Sequence, residues 1–135
     1  MTPTKAEVAV LLIGPGGASR VPVQGWRLGP LAVTPAVDRG MSSPGAPVFH
    51  RRRWRVTHVG TGMTAGMPPG GGEAKAAAVA WAKALLAAAP EGFWEDCGNL
   101  PGHDGNGLVD RSRESAAQLR DIAARAGDAF LRERD

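Results

Sequence analysis

Tyrosine is absent from this chain, cysteine occurs once, and isoleucine is confined to Ile13 and Ile122. Each scarcity removes possibilities. A lone Cys97 excludes an internal disulfide and fits a reducing compartment. With no tyrosine and three phenylalanines, large apolar area must come from Trp26, Trp54, Trp81 and Trp94, most of which are expected in the core. No stretch approaches the ~18 apolar residues of a membrane-spanning helix, and the run Val8–Ile13 is too short and too close to Glu7 for a secretory signal. A cytoplasmic protein without membrane contact is the expectation. There is no Cys-x-x-Cys and no histidine pair at helical spacing, so no closed zinc site is expected, and no cofactor either.

What is present suits one domain over residues 1–135. A chain of 135 residues, 43% of them hydrophobic, can bury one real core but not two comfortable ones. Its 19 glycines and 11 prolines concentrate before residue 73 and between residues 90 and 107, so loops should take a large share of the backbone. Arginine far exceeds lysine and alanine is abundant, a bias that GC-rich coding produces by itself. The net charge of +3 is too small to make the whole chain a polyanion binder, but it is unevenly spread. Residues 1–72 carry eight Lys/Arg against Glu7 and Asp38, a balance of +6, which leaves −3 for residues 73–135.

Taken in order, residues 5–67 read as strand-rich. Glu7–Ile13 is a continuous apolar run stopped by Gly14-Pro15-Gly16-Gly17, which suits a short buried strand ended by a tight turn. That glycine loop lacks the Gly-Lys-Ser/Thr of a phosphate cradle. Val21–Val37 leans toward alternation, but Pro22, Pro30 and Pro35 demote it to a broken or edge strand. Asp38–Pro47 reads as a loop. From Trp54 to Val59 the alternation is clean, and Met63–Met67 can follow as a partner strand after a turn at Gly60 and Gly62. Residues 73–89 are almost all helix formers, residues 90–110 are irregular, and residues 112–134 form an amphipathic helix through Leu119, Ile122, Ala123, Ala126 and Phe130. Trp81 and Leu85 of the first helix are expected to meet that stripe.

Strands before helices imply an α+β domain: a small, mainly antiparallel sheet of three to four strands with two helices packed on one face. In outline this resembles several small DNA-binding sheet modules, a likeness of shape carried by no shared motif.

The strongest local chemistry is His50-Arg51-Arg52-Arg53-Trp54-Arg55. Four guanidinium groups can hold phosphates bidentately, and an interleaved indole can stack on an unpaired base. Arg51, Arg52, Arg53 and Arg55 are expected to form one patch with Arg20 or Arg27, and Trp54 to serve it. The plainer alternative is that the arginines guard a strand edge while Trp54 is core. Gly70–Gly72 before a helix start favours an anion, but Glu73 already supplies negative charge there. Cys97, His103 and Asp104, with His58 near them in space, are permissible metal ligands whose spacing matches no closed pattern. The chain therefore reads as a nucleic-acid-binding accessory domain, for single or double strands. The alternative is a protein-interaction or self-association domain, and an enzyme built on Cys97 and His103 comes third.

A catalytic thiol needs a cationic neighbour or a helix N-terminus, whereas Glu95 and Asp96 oppose ionisation of Cys97. Alkylation by iodoacetamide should accordingly be slow at pH 6 and accelerate only toward alkaline pH. Rapid reaction at pH 6 would make Cys97 a nucleophile and promote the enzyme reading.

Overall fold

The structure, a computed structural model, describes residues 2–14, 17–39, 47–66, 68, 73–95, 102–103, 108–109 and 113–134. Along them run β1 (Thr4–Gly14), β2 (Gly17–Leu28), β3 (Leu31–Arg39), β4 (Pro47–His58), β5 (Thr64–Gly66), α1 (Lys75–Ala88), β6 (Gly102–His103), β7 (Leu108–Val109) and α2 (Arg113–Arg134). The first five strands form one antiparallel sheet in sequence order, and β6 pairs with β7 as a separate short hairpin. The class is α+β, but the sheet has five strands where three to four were expected. A two-residue hairpin also lies within the stretch expected to be irregular.

The extra strand comes from residues 21–37. In place of one broken or edge strand they supply most of β2 and β3, both interior to the sheet. Their prolines sit where a missing N–H costs little. Pro22 lies where β2 has a neighbour on one side only, because β2 pairs with β3 over Trp26–Leu28 alone. Pro30 occupies the Gly29–Pro30 turn and accepts from the Val59 N–H at 3.0 Å. Pro35 stands at a break in the β3–β4 register.

Two cores result, one on each side of the sheet. On the inner side Val8, Val10 and Leu12 of β1 and Val23 of β2 pack with Ala32 and Val37 of β3, all buried. Ala9 is exposed and Leu11 half-buried, so the run alternates from Val8 to Leu12 instead of being buried all round. The β1–β2 hairpin curls over this face, and β1 reaches β3 although β2 lies between them in the sheet. Two glycines permit the curl. A Cβ at Gly25 would stand 2.8 Å from the Val33 carbonyl oxygen. Gly62, at φ +74°, accepts the Leu11 N–H at 2.8 Å, and a Cβ there would meet the Ala9 oxygen at 2.5 Å. The turn after β4 thereby ties down the free edge of β1.

On the outer side Leu28, Leu31, Val33 and Val56 meet Ala78, Trp81, Ala82 and Leu85 of α1, joined by Ile122, Ala126 and Phe130 of α2. Ala123, expected on the same stripe, is exposed. The helices are not equivalent on the sheet, as two helices on one face would be. Helix α1 lies against β3 and β4, and α2 packs chiefly on α1. The small alanines let α1 approach closely, and Trp81 fills the helix interface with its ring edge-on to Phe130, centroids 5.7 Å apart. Among the described residues, no helix is long and apolar enough to cross a membrane.

Leu85 and Ile122 are 1% and 0% exposed, so each removal leaves a cavity in addition to the lost transfer energy. Leu85→Ala or Ile122→Ala should lower stability by about 2–5 kcal/mol in urea unfolding. An unchanged midpoint for either would place that side chain outside the core.

Candidate nucleic-acid interface

The arginine run lies on β4, and the strand does not carry it in register. Strands β3 and β4 pair regularly from Leu31↔His58 to Pro35↔Trp54, but the next step joins Ala36 to His50. Arg51, Arg52 and Arg53 are left without a partner on β3, and the β5 ladder starts only at Val56. Continued register would set Arg53 opposite Ala36 and Arg52 opposite Val37, which are 0% and 1% exposed. Cross-strand neighbours share a face, so those guanidinium groups would enter a dry interior. An unpaired buried charge costs several kcal/mol. Ladder bonds forgone cost about 0.5–1.5 kcal/mol each, and water replaces them. The bulge is therefore the cheaper solution, and no residue other than glycine has positive φ among those described. Arg52 and Arg53 emerge exposed.

Beside the bulge stands an aromatic pair. Trp54, half-buried, packs against the outer core. Its ring meets Trp26 at 5.7 Å between centroids and 66° between planes. Trp26 is also half-buried, yet among the described residues it belongs to neither core. Over its ring, 3.8 Å from the centroid, lies the ammonium of Lys75. Directly across the ladder from Trp26 is Lys5, exposed on β1.

Lys75 opens α1, whose Ala74 N-cap offers no side-chain hydrogen bond and whose first turn holds no acidic residue. Glu73 precedes the helix instead of compensating its dipole from within. A cation at a helix start is disfavoured by about 0.3–1 kcal/mol, and a cation–π contact near the surface returns about 0.5–1 kcal/mol. Lys75 is thus held over Trp26 with little net gain.

The other expected site residues have different surroundings. Arg55 is half-buried and lines a cavity of about 140 Å³ with Val10, Thr34, Val37 and Thr57. Arg27 is exposed and donates from Nε to the Gly29 carbonyl at 2.8 Å. Through Ala32 it is level with Thr57, four residues and about 13 Å along β4 from Arg53. Arg20, also exposed, pairs with Leu11 on the curled hairpin. Arg51 belongs to the bulge by its backbone. The structure thus leaves Arg52 and Arg53 exposed next to Trp54 in the chain, and groups Trp54 with Trp26, Lys75 and, across the ladder, Lys5. Counting outward from a Gly14↔Gly17 hairpin pairs Lys5 with Trp26, so that contact had a sequence signal; the long-range placement of Lys75 had none.

His58 is committed to structure. Buried at 1% exposure, its Nδ1 accepts the Thr61 N–H at 3.2 Å and lies 2.9 Å from the Thr61 hydroxyl. Nε2 then carries the hydrogen and donates to the Trp94 carbonyl. Trp94 Nε1 in turn donates to Leu85 at the end of α1, at 3.4 Å. The 91–95 turn is pinned between sheet and helix by these bonds. Gly70–Gly72, Asp96, Cys97 and Asp104, and the side chain of His103, lie outside the described residues. Among those described, no group of three His, Cys, Asp or Glu could hold a metal ion. No family model, curated protein or solved structure matches this chain in comparison.

Proposed function

We propose that this chain is a non-enzymatic nucleic-acid-binding domain of the cytoplasm that holds phosphates with Arg52 and Arg53 beside Trp54. The observation that carries this reading is the bulge: two exposed arginines, consecutive in the chain, outside the ladder and without an ion pair among the described residues. Planar guanidinium groups suit phosphate oxygens, and Lys5 and Lys75 extend the positive surface around the indoles. Glu7 and Glu73 are the carboxylates near these lysines in the chain, so the local balance stays positive.

A second reading, a protein-interaction or self-association domain, is favoured by a different surface. Ala76, Val79, Ala80 and Ala84 of α1 line a concavity of about 770 Å³ with Lys83 and Arg125 at its sides. Phe49 and Leu131 are 51% and 52% exposed.

Titrating a labelled oligonucleotide with the full chain across salt concentrations separates the two. Binding should weaken steeply with salt, and Arg52→Ala with Arg53→Ala should reduce the slope of log K against log salt by about 1.4 on a single strand, two contacts at ~0.7 each. No binding at low ionic strength, or binding indifferent to salt, would set the proposal aside. A mass that rises with protein concentration would then support the second reading.

A further inference from the structure

We infer that the site selects unpaired strands, and that Trp26 is the platform on which a base stacks. This rests on the arginine bulge being a nucleic-acid contact, and it adds what kind of strand is taken. Of the indoles among the described residues, Trp81 and Trp94 are buried in the outer core, and Trp54 packs against it with part of its surface open. Trp26 alone belongs to neither core. A large ring left half-open outside any core invites a flat partner, and in this structure the Lys75 ammonium lies over it at 3.8 Å. That contact is weaker than the stacking of a base on an indole, so a base displaces Lys75 from the ring. The ammonium is then free to meet the phosphate that accompanies the base. Lys5, across the ladder from Trp26, stands on one side of the platform. Trp54, edge-on to Trp26, joins it on the other side to Arg53, its neighbour in the chain. A duplex keeps its bases stacked on one another and offers Trp26 no open face, so Arg52 and Arg53 would hold duplex and single strand alike while Trp26 distinguishes them.

The test compares a labelled thymidine 12-mer with a 12-base-pair duplex at low salt, using the full chain, Trp26→Phe and Trp26→Ala, with tryptophan emission recorded alongside anisotropy. The wild type should bind the single strand at least about tenfold more tightly than the duplex, with its emission quenched. Trp26→Ala should lose about tenfold or more on the single strand and leave duplex binding unchanged, whereas Trp26→Phe keeps most of the preference. Equal affinity for both, or an equal loss on both, would overturn the role of Trp26 while leaving the arginine contact standing. Binding to neither would remove both. Should Trp26→Ala fail to fold, Trp26→Phe and the wild-type quench decide: single-strand binding with undiminished emission counts against stacking.

Discussion

Strand β3 over Leu31–Thr34 and strand β4 over Val56–His58 are buried on both faces, and the rest of the architecture follows from that double burial. Leu31, Val33 and Val56 point to one side and Ala32, Thr34 and Thr57 to the other, each at most 2% exposed. A sheet in this position needs two covers. Helix α1 supplies one, close because its contact face is alanine-rich. The β1–β2 hairpin supplies the other by bending at Gly25 and docking on the turn at Gly62. The polar groups trapped between the covers must find one another, as the Thr34 and Thr57 hydroxyls do at 2.8 Å.

The same constraint explains the shape of the candidate site. A run of three arginines cannot continue through a ladder whose opposite positions are buried alanine and valine. The chain slips three residues at Pro35, where the proline already weakens the ladder, and His50 and Phe49 take the vacated partners. Charge that the interior rejects is presented outside, next to two indoles at the margin of the helix-covered face. The plainer sequence reading, arginines guarding an edge, has the same root in burial, and β5 pairs with β4 only at Val56 and Thr57, so Arg51–Arg53 have no ladder neighbour on either side.

Much of the fold was legible because period and propensity spoke locally. The alanine-rich and amphipathic helices lie within one or two residues of their expected ends, and Trp81, Leu85, Ile122 and Phe130 meet as their spacing implied. The strand count failed because proline was read as a bar to interior strands, whereas Pro22 sits where β2 has one neighbour and Pro35 sits at a bulge. The site was legible in part. Arg52, Arg53 and Trp54 stood out by composition, but alternation alone cannot show that the strand slips, or that Arg55 turns to the inner cavity. His58 showed its strand position and hid its role, because both hydrogen-bond partners come from turns.

The central claim is that double burial expels the arginine run from the ladder, and amide hydrogen exchange along β4 tests it most directly. The account predicts amides from Trp54 to His58 that exchange only on global opening, and amides of Arg51–Arg53 that exchange orders of magnitude faster. Uniform strong protection from His50 to His58 would mean that the ladder runs unbroken through the arginines, and would contradict it.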